Sequence, residues 1–285
     1  MRRSLPHRTG PARAVDYGDR VKIALMDSGI GLLPAAAAVR RLRPDADLVL
    51  SSDPDNMPWG PRTPDDENAR VTARVTERAL AVARAAVAHA PDALIIACNT
   101  ASVHALPALR AELEPAVPVI GTVPAIKPAS AGGGPVAIWA TPATTGSPYQ
   151  RALIRDFADS VAVTEVPCPG LADAVQWADE DAIDRAVAAA AALTPRDVRA
   201  VVLGCTHYEL VAERIRAAVG RSVPLHGSAD AVAAQALRRL GELPAPDAAP
   251  SSRLTVLLSG RDEVLPAQAA HYAEGRLLRT VSSAH

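Results

Sequence analysis

Two cysteines, Cys98 and Cys205, stand in matching surroundings. Each ends an apolar run and is followed by short polar residues, in DALIIACNTAS and in RAVVLGCTHYE. A thiol has an ordinary pKa near ~8.5, which a helix N-terminus or a cationic neighbour lowers. Two thiols looking at one carbon from opposite sides can take a proton from one face and deliver another to the opposite face, with no cofactor. His207, two residues after Cys205, is the natural partner for one thiol, and Asp27 for the other, since acid–base groups work best with pKa values near the working pH. A cysteine alone in a strand is more often a small buried hydrophobe. The case for chemistry rests on two of them at matched places with the same kind of polar tail. Cys168, flanked by Pro167 and Pro169, lacks that tail and is assigned to structure.

To serve one carbon, both thiols must sit at strand ends that face each other. VKIALMD (21–27) is an apolar run closed by Ser28-Gly29-Ile30-Gly31, the pattern of a buried parallel strand. A helix over about Pro34 to Arg43 follows, then a strand ADLVLSSD and a Pro- and Gly-rich loop (54–64). Thr63-Pro64-Asp65-Asp66-Glu67 starts a helix that runs to about His89. DALIIACN is the third strand, another helix follows it, and a short strand spans Val117 to Thr122. After a Gly-Gly-Gly-Pro passage the same order begins again with PVAIWATP, a strand from Ser160 to Pro167, and RAVVLGCT. Thr141 lies 114 residues after Asp27, Cys168 lies 115 after Asp53, and Cys205 lies 107 after Cys98. That is an internal duplication. The expected fold is α/β, with two pseudo-symmetric doubly wound parallel-sheet domains and the active site in the cleft between them. Residues 1–20 read as a flexible tail. Beyond Pro224 come a helix (Ala229 to Leu240), an irregular Pro/Ala stretch (244–252), a strand RLTVLLSG and a last helix; pattern alone does not say which half they join.

Ser28, Asn99, Thr100, Thr141, Thr144 and Thr206 would bring hydroxyls and an amide to such a cleft. Pro58-Trp59-Gly60 lies in a loop whose backbone N–H groups would suit an anion. These groups fit a small zwitterion with an extra carboxylate. GxxxxGK[ST] and GxGxxG are both absent, so phosphate cradling has no support.

Bulk composition narrows the class further. Thirty basic residues against 31 acidic ones leave a formal charge of −1, so no global field draws nucleic acid or an anionic membrane. Three cysteines without a CxxC pair make neither a disulfide framework nor a structural zinc site. The N-terminus has no apolar run of signal-peptide type, and no segment is apolar enough to span a membrane. A cytoplasmic, soluble protein is the expectation. With a single Phe, its core must be built mainly from Ala, Val, Leu and Ile.

The blocks MDSGIG (26–31), MPWGPR (57–62), IIACNTAS (95–102), ATPATTGSPYQ (140–150) and VLGCTHYEL (202–210) resemble the cofactor-independent aspartate/glutamate racemase family, over nearly everything but the tail. The resemblance implies interconversion of L- and D-glutamate, with D-glutamate supplied to peptidoglycan, a homodimer, and no cofactor or metal. It implies that Cys98 deprotonates D-glutamate and Cys205 deprotonates L-glutamate, assisted by Asp27 and His207. Asp27, Ser28, Asn99, Thr100 and Thr206 would hold the α-amino and α-carboxylate groups. The Trp59-Gly60 backbone, with Thr141 and Thr144, would surround the side-chain carboxylate. It also places residues 21–122 and 224–285 in one domain and 123–223 in the other. Three positions depart from the family pattern: Leu32 follows Gly31 where Gly is usual, Trp59 stands for Tyr, and Gln176 stands for a Glu near the second thiol. Gln176 and Trp59 motivate one alternative, a paralogous racemase for another amino acid; a second alternative, from a different class, is a non-catalytic regulatory homologue that keeps the fold.

Overall fold

The computed structural model describes residues 20–60, 68–250 and 253–282. The tail expected at the N-terminus, apart from Arg20, and the helix start expected at Thr63 to Glu67 lie outside the described residues. In chain order the strands are β1 (Lys22–Asp27), β2 (Asp47–Ser52), β3 (Ala93–Ile96), β4 (Val119–Gly121), β5 (Val136–Ala140), β6 (Val163–Pro167), β7 (Ala200–Leu203), β8 (Leu225–His226), β9 (Leu254–Leu258) and β10 (Arg261–Glu263). They form two sheets, ordered β10-β9-β2-β1-β3-β4 and β6-β5-β7-β8. The order β2-β1-β3-β4 in the first is repeated by β6-β5-β7-β8 in the second, so the duplication read from residue order is a duplication of topology. Pairing is parallel throughout except between β9 and β10.

Register carries the duplication down to single residues. Met26 of β1 lies opposite Ile96 of β3, and Trp139 of β5 lies opposite Leu203 of β7. Cys98 and Cys205 therefore each stand two residues beyond the last residue of their strand.

The strands are apolar on both faces, as parallel strands covered by helices must be. Ile23 and Leu25 of β1 point into one cluster, while Ala24 and Met26 point into a second against the helix Asn68–Val87. In β5, Ala137 and Trp139 join the cluster of Ile23 and Leu25, while Val136 and Ile138 face a third. The two sheets thus share one continuous core. Trp139 and Tyr208 are the largest fully buried side chains in a mostly aliphatic core, and Phe157 is 41% exposed.

The C-terminal segment returns to the first sheet. β9 runs parallel to β2, with Val256 opposite Leu50, and the helix Ala229–Leu240 packs on the helix Leu33–Leu42. One boundary moves: the chain crosses back after His226, not at 224, because β8 completes the second sheet beside β7. Two residues are too few to read as a strand from pattern. The stretch expected to be irregular after Pro244 is tied down, Ala245 N–H donating to the Leu42 carbonyl at 2.8 Å. The single helix expected after Cys98 is two, Asn99–His104 and Leu106–Leu113; Pro107 sits in the first turn of the second, where its missing N–H costs nothing. Among the described residues no helix is long and apolar enough to cross a membrane, and no group of three or more His, Cys, Asp or Glu could hold a metal ion.

Candidate active site

Both thiols leave their strands in the same way. Cys98 (φ −144°, ψ 118°) and Cys205 (φ −138°, ψ 137°) are extended N-cap residues of the helices Asn99–His104 and Thr206–Glu209. Their partners differ. Cys98 Sγ accepts the Ala101 N–H at 3.5 Å, whereas Cys205 Sγ lies 3.9 Å from His207 Nδ1.

Position at a helix start favours a thiolate, yet burial outweighs it here. Burial pushes the Cys98 thiol well above its ordinary value, and the Asp27 charge pushes the same way. The Cys205 thiol is pushed up to about 12, again chiefly by burial. Helices of six and four residues supply little dipole against that desolvation. The lowering expected from a helix N-terminus is therefore not the net effect. Asp27 is itself raised by burial, against the lowering influence of His207 and of bonds from Ser28 and Gly29. His207 is lowered by burial, with Asp27 and Asp173 pulling the other way.

Asp27 ends β1 and knits the two halves together. Its Oδ1 accepts from Ser28 N at 2.5 Å and from Ser28 Oγ at 3.0 Å, while Oδ2 accepts from Thr206 Oγ1 at 3.1 Å. It acts on Cys98 through its charge, with no hydrogen bond to that thiol among the described residues. Asn99 makes a second tie, its Nδ2 donating to the Gly204 carbonyl at 2.7 Å, and its buried Oδ1 has no protein partner. The turn after β1 admits these neighbours only because Gly29 and Gly31 lack side chains. A Cβ on Gly29 would lie 2.1 Å from Gln176 Oε1, and one on Gly31 would lie 2.3 Å from Asp27 Oδ2 and 2.6 Å from His207 Nδ1.

The residues singled out by sequence come together. Asp27, Ser28, Trp59, Gly60, Cys98, Asn99, Thr100, Thr141, Thr144, Cys205, Thr206 and His207 all line one cavity of about 320 Å³ between the two sheets. Thr141 and Thr144 are joined hydroxyl to hydroxyl at 3.2 Å. Met57, Ala143, Gly170 and Asp173 also line it. Asp173 was legible only as an acid close in sequence to Gln176; Met57 and Ala143 carry no polar signal that a sequence reading would pick out. Cys168 touches the cavity too, but its thiol is 1% exposed and faces the Val166 carbonyl at 3.5 Å. Gln176 does not line the cavity; it is buried behind His207, with Oε1 at 3.0 Å from His207 Nε2. No Lys or Arg is among the described residues of the lining.

Trp59 is an anchor. Its indole is 2% exposed and Nε1 donates to Asp53 Oδ2 at 3.2 Å. Asp53 Oδ1 accepts from Asn56 Nδ2 at 2.7 Å and from Ser259 Oγ at 3.0 Å, and Arg74 Nη2 donates to the Gly60 carbonyl at 2.9 Å. The loop that brings Gly60 to the cavity is thus held from both ends. What the Trp59 ring offers in hydrogen bonding goes to that anchor rather than to the cavity.

Each half of a duplicated α/β fold thus brings a thiol, at the same strand end, to one shared cavity. The sequence profile of the Asp/Glu/Hydantoin racemase family matches residues 33–236. The chain belongs to that family. It is 36% identical over 218 residues to a glutamate racemase of Roseiflexus sp. (strain RS-1), covering 74% of this chain and 76% of that one. Identity to a glutamate racemase of Vibrio campbellii is 39% over 216 residues, with 74% and 77% covered. Among solved structures, Escherichia coli glutamate racemase in complex with L-glutamate and the activator UDP-MurNAc-Ala superposes with a TM-score of 0.74 at 26% identity, covering 93% of this chain and 96% of that one. Thermus thermophilus glutamate racemase in complex with β-chloro-D-alanine gives 0.65 at 28% identity, with 93% and 95% covered.

Proposed function

We propose that this chain interconverts L- and D-glutamate without a cofactor, Cys98 and Cys205 exchanging the α-proton on opposite faces, and that the D-glutamate supplies peptidoglycan. A cytoplasmic homodimer is part of the reading. The observation that carries it is the pair of thiols at equivalent strand ends, lining one cavity between the two sheets.

The charges favour an amino acid with carboxylates held by neutral donors. Asp27, Asn99 Oδ1 and Asp173 are acceptors suited to an α-ammonium, and Asn99 Oδ1 is buried without a protein partner. Ser28, Thr100 and Thr206 offer hydroxyls for the α-carboxylate. Thr141, Thr144 and the Gly60 backbone stand where a second carboxylate would be gripped, and a neutral grip suits a reversible reaction between two substrates of equal charge.

The proton balance is simple. One thiol enters as thiolate, takes the α-proton and ends as thiol; the other enters as thiol, gives its proton to the opposite face and ends as thiolate. A dry site leaves both thiols protonated, so a substrate ammonium beside them supplies the positive charge that favours a thiolate. The same dryness strengthens every donor aimed at the carbanion's carboxylate.

Circular dichroism of each glutamate enantiomer, with no added cofactor or metal, tests the reading. Decay from both enantiomers to zero ellipticity supports it. Unchanged ellipticity with glutamate but decay with another amino acid would move the substrate, and inertness towards a full panel would refute the racemase reading.

A further inference from the structure

Behind the cavity wall, one oxygen serves two neighbours. Gln176 Oε1 is 2.9 Å from the backbone nitrogen of Ile30 and 3.0 Å from His207 Nε2. A backbone N–H only donates, so the side-chain atom it meets is the amide oxygen, and that oxygen has no hydrogen to give the imidazole. Nε2 must then carry the ring proton. In a neutral imidazole the other nitrogen is a bare acceptor, and here that nitrogen, Nδ1, is the one 3.9 Å from Cys205 Sγ.

We propose that Gln176 is a positioning residue that locks His207 as its neutral Nε2–H tautomer and so aims the Nδ1 lone pair at the Cys205 thiol. The lock spans the molecule, since Ile30 follows β1 of the first sheet while Gln176 and His207 belong to the second half. Its fit is tight: the space a Cβ of Gly29 would take is filled by the Gln176 amide. Gln176 itself is 4% exposed.

An amide at this position has consequences a carboxylate would not have. The groups that act on His207 are Asp27, Asp173 and Cys205, from three separate segments. Beside Nε2 itself the partner is neutral, so no negative charge there stabilises an imidazolium. Cys205 therefore rests as a thiol that donates to Nδ1, while Cys98 Sγ accepts a backbone N–H. Within the glutamate reading, on which this kinetic meaning rests, this resting state suits the direction in which Cys98, as thiolate, first takes the α-proton and Cys205 then gives its own to the opposite face.

Long-range ¹H–¹⁵N correlation spectra of histidine-labelled protein read the tautomer directly, with His207 assigned by the signal lost in His207→Asn. The expected result is the Nε2–H pattern at and above neutral pH. In Gln176→Glu the midpoint of His207 titration rises by about one pH unit or more, and in Gln176→Leu the single tautomer gives way to a mixture. An Nδ1–H pattern in the native protein, or variants whose His207 signals match the native ones, would overturn the proposal. No substrate enters the measurement, so failure of the glutamate reading leaves it intact, and its own failure leaves racemisation untouched.

Discussion

Replacing Gly31 by Ala places a methyl group where three polar atoms already converge. Its Cβ would stand 2.3 Å from Asp27 Oδ2, 2.5 Å from Thr206 Oγ1 and 2.6 Å from His207 Nδ1. To reach ordinary van der Waals separation each atom must retreat by roughly 1 Å. Two of them belong to the second half of the molecule, so the retreat pries that loop from β1 and stretches the 3.1 Å bond between Thr206 and Asp27. Overpacking of this kind costs about 1–3 kcal/mol of stability, which a protein of this size survives. A displacement of about 1 Å at a reacting centre costs on the order of 100-fold in rate. Gly31→Ala is therefore expected to fold, with a modest drop in Tm, and to lose on the order of 100-fold in kcat/KM for both glutamate enantiomers. Circular dichroism gives both quantities on one sample. A variant with native kcat/KM would refute the claim that the close approach of this turn to Thr206 and His207 matters to the reaction.

Two further perturbations follow from the same contacts. Asp53→Ala removes the acceptor shared by Trp59, Asn56 and Ser259, so stability falls by about 1–3 kcal/mol and KM rises several-fold more than kcat falls; an unchanged KM would detach this loop from substrate binding. Alkaline stability is the second. Burial holds the Cys168 and Cys205 thiols up at about 12 and Cys98 well above its ordinary value, so the folded protein keeps protons that the unfolded chain loses near pH ~8.5. Stability is thus full below that pH and is lost as pH rises towards 12, at about 1.4 kcal/mol per pH unit for each thiol. Between pH ~7 and ~10 in urea titrations, Cys168→Ala should lose about 2 kcal/mol less than the native protein; an equal loss would contradict the buried-thiol account.

The fold was legible because its signals were local and repeated. Apolar runs ending in Gly or Cys marked the strands, and their repetition in order implied two halves before any pairing was known. The two residues of β8 and the antiparallel β10, whose side chains are exposed, carried no such pattern. The residues that line the cavity were legible for a different reason: parallel strands bring their carboxyl ends to one edge, so polar residues there converge. What sequence could not show was direction and electrostatic balance. Trp59 points its N–H at Asp53, Asp27 spends its oxygens on Ser28 and Thr206, and Gln176 reaches His207 across 31 positions of sequence. Nor could it show that burial would override the helix starts at Cys98 and Cys205, because that depends on how completely the two halves exclude water.

The central claim is that each thiol serves one face of one carbon. Proton NMR of D- and L-glutamate in D₂O, with the native protein and with Cys98→Ala and Cys205→Ala, tests it most directly. The account predicts loss of the α-proton signal from both enantiomers with the native protein. Each variant should stop racemising, with exchange surviving only for the enantiomer that the remaining thiol deprotonates: L-glutamate for Cys98→Ala, D-glutamate for Cys205→Ala. Racemisation that persists when either cysteine is removed would contradict it.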